Sequence, residues 1–235
     1  NSLETLSRQL DPSADERRKL LEMTQEYSEA FLVNLPETGT YHNDNDREGL
    51  GRPLFSEHPT QMAEILDQFK IEVDTTGITP ASGGQMGYIP GGGLYPSALG
   101  DFLADISNRY SGVSFAGPGA AAMELALIEW MCQLVGYPQN AAGDLTSGGS
   151  VATLSALVTA RDAGGIDCRK IPISCIYLTE QAHHCVDKAL HVAGLKDVNK
   201  RTISMDRRFR MDTADLEQQI QKDRAQGLEP WLGIA

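Results

Sequence analysis

The chain is poor in cysteine, with four among 235 residues, and no two of them form a Cys-x-x-Cys pair. A disulfide framework needs many closely spaced cysteines in a small secreted domain, and this chain does not have them. We therefore expect reduced thiols and a cytoplasmic protein.

Long apolar runs and positive charge are also scarce. No stretch is apolar over the length that crosses a bilayer, and the polar N-terminus lacks the core of a signal peptide. The net charge is -12, with 20 Lys and Arg against 32 Asp and Glu. Nucleic acids and anionic membranes are bound by basic patches, so we expect neither as a partner.

Nucleotide-binding motifs are absent or incomplete. No G-x-x-x-x-G-K-[ST] occurs, which excludes the phosphate-binding loop of NTPases. Residues 117–122 match the dinucleotide fingerprint G-x-G-x-x-A, but only a marginal strand precedes them and no strand ending in an acid follows. A helix start packed closely against a neighbouring segment explains this pattern better.

Metal-ligand patterns are incomplete as well. His183, His184 and His191 are three of the five histidines, and Cys185 adjoins them. Four converging ligands cannot be assembled from these spacings, so we predict no metal site. The run Asn43–Asp46 lacks the glycine and the distal glutamate of a calcium loop, and a solvated loop is expected there.

The hydrophobic pattern predicts helices throughout the chain and strands in its second half. The predicted helices cover residues 13–34 (with a capping box of Ser13 and Glu16), 60–70, 99–106, 118–135, 150–164, 182–195 and 212–225. The predicted strands are a doubly buried one at 171–178, a short one at 201–205 and one from 231 onward. This alternation predicts an α/β fold with a mainly parallel sheet.

The strongest chemical signal is Ser147-Gly148-Gly149-Ser150, which runs directly into a predicted helix. The first amides of a helix have no intrahelical acceptor, and the helix dipole places partial positive charge there. Two glycines allow close approach to the backbone, and two serines add hydroxyl donors. The pattern predicts a phosphate site; the alternative is an N-cap serine that needs no ligand.

His183 gains interest from its position. It follows the predicted buried strand 171–178, at the edge of a parallel sheet where ligands of open α/β folds bind. The long glycine-rich segment 77–96, with Tyr88 and Tyr95, is the other candidate, because long irregular segments in compact domains are often functional. We interpret it as an ordered loop that lines a pocket.

These motifs together resemble a known family. The sequence from Ser147 to Arg161, followed by Thr179 to Ala189, resembles the group II pyridoxal-phosphate-dependent decarboxylases, which act on aromatic amino acids, histidine, glutamate and diaminobutyrate. Tyr88-Ile89-Pro90 with Tyr95-Pro96 resembles the substrate loop of this family. The resemblance extends from about Phe55 to Ala235.

The resemblance implies a fold-type I, aminotransferase-like α/β domain that binds pyridoxal 5'-phosphate and works as a homodimer. It implies a helical dimerisation segment at 1–75 and the N-terminal part of the cofactor-binding large domain at 76–235. By the same resemblance, Ser147, Gly148, Gly149 and Ser150 hold the cofactor phosphate. His183 stacks on the pyridine ring and helps to orient or protonate the reacting carbon.

The implied reaction is decarboxylation of an L-amino acid to the amine and CO2. Tyr88, Pro90 and Gly91 would line the substrate pocket, although Gly91 stands where the family often has threonine. The tyrosines suit an aromatic substrate, while basic and acidic ones stay open. The alternatives are an aminotransferase, an aldehyde-forming relative, or a non-catalytic fragment that acts through dimerisation.

The resemblance also places two family residues after Ala235, namely the aspartate that pairs with the pyridine nitrogen and the lysine that binds the cofactor covalently. Lys170, Lys188 and Lys196 do not stand in the family's His-Lys context. We therefore expect the chain to be the N-terminal part of a longer enzyme. The C-terminal remainder is then an expected partner, and the chain is not expected to decarboxylate a substrate unaided.

Overall fold

The computed structural model describes residues 2–8, 10–42, 59–89 and 91–235, and divides into two compact units, Asn1–Asn108 and Arg109–Ala235. The predicted boundary after residue 75 lies inside the first unit, and the assignment of the two parts to dimerisation and cofactor binding stays a prediction. The Asn43–Asp46 run lies outside the described residues. Among the helices that are described, none has the length and apolar character needed to span a membrane.

The first unit contains four described helices and one small pair of strands. The helices are α1 (Ser2–Arg8), α2 (Ala14–Asn34), α3 (Met62–Phe69) and α4 (Tyr95–Ser107). Strands β1 (Tyr41–His42) and β2 (Gly77–Ile78) pair in antiparallel fashion. A 3-10 turn (Leu35–Glu37) follows α2, and a π-helical turn (Lys70–Asp74) follows α3.

The start of α2 confirms the predicted capping box. The Glu16 N–H donates to Ser13 Oγ at 3.3 Å, and the Ser13 N–H donates to Glu16 Oε2 at 2.7 Å. Two amides that the helix leaves unpaired are thus satisfied by local side chains. The Ser13 hydroxyl, followed by the hydrogen bond from the Ser13 N–H to the carboxylate, holds the pKa of Glu16 below its usual value.

The described part of the first unit has no buried apolar side chain. Its buried residues are Thr79 and Ser82; the Ser82 hydroxyl donates to the Thr38 carbonyl at 2.8 Å. Tyr27 donates its hydroxyl to Asp74 and packs edge-on against Phe69, with ring centroids 6.1 Å apart. Burial, followed by the bond to the carboxylate, raises the pKa of Tyr27.

The second unit is an α/β layer structure whose elements alternate along the chain. They are α5 (Pro118–Leu134), α6 (Gly149–Ala163), β3 (Ser174–Thr179), α7 (Cys185–Val192), β4 (Asn199–Ile203), α8 (Thr213–Ala225) and β5 (Glu229–Ile234). The strands form a parallel sheet in the order β4-β3-β5. The predicted α/β class with a mainly parallel sheet is confirmed for this unit.

The core of the second unit lies on both faces of β3. Ile176 points into a cluster with Leu157 of α6 and Leu190 of α7, whereas Cys175 and Tyr177 lie in a second cluster. Side chains alternate between the two faces of a strand, and the first four residues of β3 are buried by packing on both faces. The prediction of a doubly buried strand is confirmed.

Several element limits differ from the prediction for local reasons. The strand predicted from 171 begins at Ser174, because Ile171–Ile173 forms a 3-10 turn around Pro172. Helix α7 begins at Cys185 instead of 182, since a turn follows β3, and it ends before Gly194, which has a φ of 74°. The pairing of β1 with β2 was not predicted, because two-residue strands carry no alternation signal.

Candidate functional site

Helix α6 begins in an unusual backbone turn. Gly148 is its N-cap and has φ 153° and ψ 168°, a conformation essentially confined to glycine. The Gly148 carbonyl accepts the Val151 and Ala152 N–H groups, both at 3.1 Å, and the Thr146 hydroxyl at 3.1 Å. Sequence reasoning missed this role of Thr146, which stands two residues before the N-cap, although threonine hydroxyls often bond to nearby backbone in turns.

The turn leaves several hydrogen-bond donors free. The N–H groups of Gly149 and Ser150 have no acceptor in the helix. In the part of the chain that the structure describes, the Ser147 and Ser150 hydroxyls make no hydrogen bond. The serine N-cap considered as an alternative is wrong, because the N-cap is Gly148 and no side chain caps this helix.

The space in front of these donors is open. A Cβ built on Gly148 or Gly149 would meet no heavy atom within 4 Å, and residues 147–150 are all exposed. Two backbone amides, two hydroxyls and the positive end of a 15-residue helix suit a phosphate dianion. The donor set therefore fits the phosphate group of a cofactor.

His183 lies in the turn between β3 and α7, at the carboxyl end of the central strand, and its ring is exposed. Its Nδ1 accepts the Cys185 N–H at 3.2 Å. A neutral ring held in this way carries its proton on Nε2. The His184 ring lies 4.0 Å away between centroids, at an interplanar angle of 39°.

Contacts between α6 and α7 bring the turn and His183 to one end of a packed helix pair. Thr153 Oγ1 lies 3.6 Å from Cys185 Sγ; Thr153 is three residues after Ser150, and Cys185 is two residues after His183. At the other end of the pair, Arg161 Nη1 donates to the Ala193 carbonyl at 2.8 Å. The glycine–serine turn and His183 therefore lie at the starts of two neighbouring helices on one side of the sheet.

The residues predicted to line the substrate pocket belong to the first unit, between β2 and α4. Tyr88 has a φ of 65° and is 82% exposed, and a Cβ on Gly91 would meet nothing within 4 Å. Pro90 lies outside the described residues. The role of all three in substrate binding stays a prediction.

The glycine pattern at 117–122 has a packing explanation. A Cβ on Gly117 would lie 2.5 Å from the Tyr110 carbonyl oxygen, so the start of α5 sits directly against that backbone. This confirms the preferred interpretation of a closely packed helix start. Within the described ranges, no three His, Cys, Asp or Glu side chains are grouped as metal ligands would be.

A buried polar network on the other face of the sheet escaped prediction. The fully buried Asp223 carboxylate accepts Tyr177 Oη at 3.0 Å, Arg201 Nε at 2.9 Å and Gln219 Nε2 at 3.1 Å. Burial alone raises the pKa of Asp223, but these hydrogen bonds outweigh it and hold the pKa below its usual value. Burial, and then the same carboxylate, raises the pKa of Tyr177. These hydrogen bonds link α8 to strands β3 and β4 of the sheet.

Comparisons with known proteins identify the family to which this sequence is similar. The family described as the pyridoxal-dependent decarboxylase conserved domain matches residues 50–235. The aromatic-L-amino-acid decarboxylase of Bacillus atrophaeus is 36% identical over 150 residues, which cover 64% of this chain and 31% of that protein.

Solved structures share the fold at low sequence identity. The crystal structure of Oryza sativa TDC with PLP and tryptamine superposes with a TM-score of 0.81 at 22% identity, covering 94% of this chain and 48% of that one. Rhodiola rosea 4-hydroxyphenylacetaldehyde synthase gives 0.82 at 19% identity, covering 94% and 50%.

The chain spans about a third of the length of the curated relatives it matches and about half of the solved structures. Over that span the likeness confirms the expected fold-type I architecture. The family match covers most of the chain and includes both the glycine–serine turn and His183. The chain belongs to the pyridoxal-dependent decarboxylase family.

Proposed function

We propose that the gene product carrying this chain uses pyridoxal 5'-phosphate to remove the α-carboxyl group of an L-amino acid, releasing CO2 and the amine. The observation that carries the proposal is the pairing of the open turn before α6 with His183 before α7, on helices joined by the Thr153–Cys185 contact. The reaction is proposed for the whole protein, because the chain spans only part of its relatives.

The turn at 147–150 would hold the cofactor phosphate. The Gly149 and Ser150 amides and the Ser147 and Ser150 hydroxyls supply donors, and the helix dipole adds to their attraction for a dianion. Gly148 supports the backbone conformation that presents these donors. Hydrogen bonds to a charged group are worth about 1.5–3 kcal/mol each, so this set can dominate cofactor affinity.

His183 would face the flat ring of the cofactor and position a proton. When bound, the cofactor supplies an electron sink for the charge left as CO2 departs. The Cys185 N–H fixes the Nδ1 side of the imidazole, which leaves Nε2–H as the donor of a neutral ring. A ring oriented in this way can stack on a planar group and hold a proton near the reacting carbon.

An aromatic amino acid is the substrate class that the observations favour. The segment predicted to line the substrate pocket offers the Tyr88 ring and an unobstructed backbone at Gly91, which suit a flat side chain. The Bacillus atrophaeus relative is named for aromatic L-amino acids, and the Oryza sativa structure holds tryptamine.

Aldehyde formation is the second candidate, because the chain shares its fold with an aldehyde synthase. An aldehyde is more oxidised than the corresponding amine, so this route must consume an oxidant such as O2, whereas simple decarboxylation consumes none. The activity test is therefore run on the complete gene product with aromatic, acidic and basic L-amino acids and with measured O2. Equimolar CO2 and amine at constant O2 support decarboxylation.

Formation of an aldehyde with consumption of O2 would contradict simple decarboxylation and identify an aldehyde synthase. Transfer of the amino group to a keto acid without CO2 would instead identify an aminotransferase. If neither CO2 nor a changed substrate forms with any amino acid while the cofactor is bound, the enzyme proposals fail and the non-catalytic alternative takes their place.

We also propose that the protein is a homodimer to which the first unit contributes. Helix α2 has 21 residues and none of them is buried, yet Leu21, Leu32 and Val33 are apolar. A helix gains most of its stability from packing an apolar face against another surface. A second copy of the protein can provide a surface that buries these exposed side chains.

Sedimentation velocity tests this assembly. Leu21→Glu should dissociate the dimer, and Lys19→Glu on the same helix should leave it intact. A monomeric wild-type protein, or dissociation by both variants alike, would contradict the proposal.

A cytoplasmic location is proposed from the thiols. All four cysteines are free, and Cys175 and Cys185 are buried. Reduced thiols are typical of the cytosol. Cell fractionation of the native protein tests the location, and recovery in an oxidising or secreted fraction would contradict it.

A further inference from the structure

A short hairpin between β4 and α8 carries a basic tip that the proposed reaction does not use. Met205 and Met211 form an isolated antiparallel bridge, which closes the loop Asp206-Arg207-Arg208-Phe209-Arg210. The loop follows the carboxyl end of β4, an outer strand of the described sheet. Backbone bonds across the loop, from the Asp206 N–H to the Arg210 carbonyl at 2.9 Å and from the Phe209 N–H to the Asp206 carbonyl at 3.0 Å, define its shape.

The base of this hairpin is fixed to the body of the unit. The Asp206 carboxylate accepts the Arg208 and Arg210 N–H groups at 2.8 and 3.0 Å and pairs with the Arg210 guanidinium at 2.7 Å. Met211 packs against the core cluster that includes Tyr177. The hydrogen bonds of one carboxylate and the packing of one partly buried methionine therefore define the shape of the tip.

The tip itself is exposed, and the positive charge of two of its arginines is not balanced by an acidic partner among the described residues. The guanidinium groups of Arg207 and Arg208 make no hydrogen bond or ion pair with any residue that the structure describes. Phe209 is 76% exposed and has a φ of 59°, in the left-handed region that a bulky residue rarely adopts. Backbone strain of this kind persists where the surrounding structure holds the residue in place, and it often marks a functional position.

The charge of the tip contrasts with that of the chain. Two unpaired arginines and an aromatic ring project from a protein whose net charge is -12. Arginine and aromatic residues are enriched in the cores of protein interfaces, and arginine clusters recognise acidic segments. The strong overall negative charge opposes long polyanions and anionic bilayers more than it opposes one short acidic segment. A protein partner is therefore favoured over nucleic acid or membrane.

We propose that the Arg207-Arg208-Phe209 tip is a docking element for an acidic segment of a protein partner. The two guanidinium groups bind its carboxylates, and the Phe209 ring inserts beside an apolar residue of the same segment. The inference does not depend on the proposed reaction, because the tip uses none of the residues assigned to the cofactor.

A labelled peptide of alternating glutamate and leucine tests the docking element. Fluorescence anisotropy should show binding to the wild-type protein, with affinity falling as salt rises from about 50 to about 300 mM. Arg207→Glu/Arg208→Glu should weaken binding roughly tenfold at low salt. Phe209→Ser should weaken it at both salt concentrations, because its contribution is apolar.

The matched control is Lys222→Glu/Arg224→Glu, which changes the net charge equally at exposed positions on α8. It should alter affinity by less than about twofold if the effect is local. Unchanged thermal unfolding of the tip variants shows that they remain folded. The proposal is overturned if the wild-type protein does not bind the peptide, if all variants bind it equally, or if phosphatidylserine vesicles or single-stranded DNA bind more tightly than the peptide.

Discussion

At the residue scale, His183 and His184 are neighbours with different expected roles. The two rings are in contact, but only His183 has its Nδ1 fixed by a backbone amide. In the complete gene product, His183→Ala should lower kcat by about a hundredfold or more, since a positioned proton donor contributes on this order. The free energy of unfolding should change little, because the side chain is exposed.

His184→Ala is the matched control and should retain most of the activity. Steady-state kinetics and urea unfolding on both variants separate the two roles. If His183→Ala loses stability in proportion to activity, His183 is a structural residue.

Gly148 and Gly149 form a second contrasting pair. Alanine at Gly148 must adopt a φ of 153°, so Gly148→Ala should lower the free energy of unfolding by about 1–3 kcal/mol. Gly149 has helical geometry and open space above it, so Gly149→Ala should be close to neutral. Equal destabilisation by both substitutions, measured by urea unfolding, would contradict the strained turn.

Asp223 should make the second unit sensitive to acid. Its pKa is lowered in the folded state, so its contribution to stability is present above the unfolded value of about 4 and is lost as the pH falls through the folded pKa. Asp223→Asn should cost about 3–5 kcal/mol near neutral pH, because it leaves the partly buried Arg201 without its partner.

In the Asp223→Asn variant, the free energy of unfolding should fall less steeply with decreasing pH than in the wild-type protein. Urea unfolding between neutral pH and about pH 3 checks this, with the exposed Asp197→Asn as control. A wild-type protein and an Asp223→Asn variant with parallel pH profiles would contradict the assignment.

At the element scale, the end of α6 depends on Gly164. A Cβ there would lie 2.7 Å from Trp231 Nε1 of β5 and 3.1 Å from the Ala160 carbonyl oxygen. Gly164→Ala should therefore cost about 1–3 kcal/mol and shift the tryptophan fluorescence. Gly119→Ala in α5, where a Cβ meets nothing within 4 Å, should be neutral or stabilising by up to about 1 kcal/mol. The opposite ranking in thermal unfolding would refute this packing.

Elements with local signals could be predicted from the sequence. The α2 capping box of Ser13 and Glu16 involves neighbours in the chain and appears where expected, and helix α8, predicted from residue 212, begins at Thr213 directly after its N-cap Asp212. Strands β1 and β2 could not be predicted, because residues far apart in the chain form them and neither is long enough to alternate. The turn after β3 was missed because residues 180–184 contain no glycine or proline.

At the scale of the whole molecule, sequence reasoning reached the fold class but not its long-range polar contacts. The parallel sheet follows from the alternation of strands and helices, and the candidate site, which stays a prediction, follows from two short motifs in one α/β unit. The Asp223 network joins residues 22 and 46 positions apart, and its members look ordinary in sequence. Only the packing of α8 against the sheet brings them together.

The turn at 147–150 is proposed to bind the phosphate of the cofactor. Equilibrium dialysis of the complete gene product against pyridoxal 5'-phosphate and against pyridoxal, which lacks the phosphate, tests it most directly. The wild-type protein should prefer the phosphorylated form by at least about tenfold, and Ser150→Ala should reduce that preference while leaving pyridoxal binding unchanged. Equal affinity for the two compounds, or equal weakening of both by Ser150→Ala, would contradict the account.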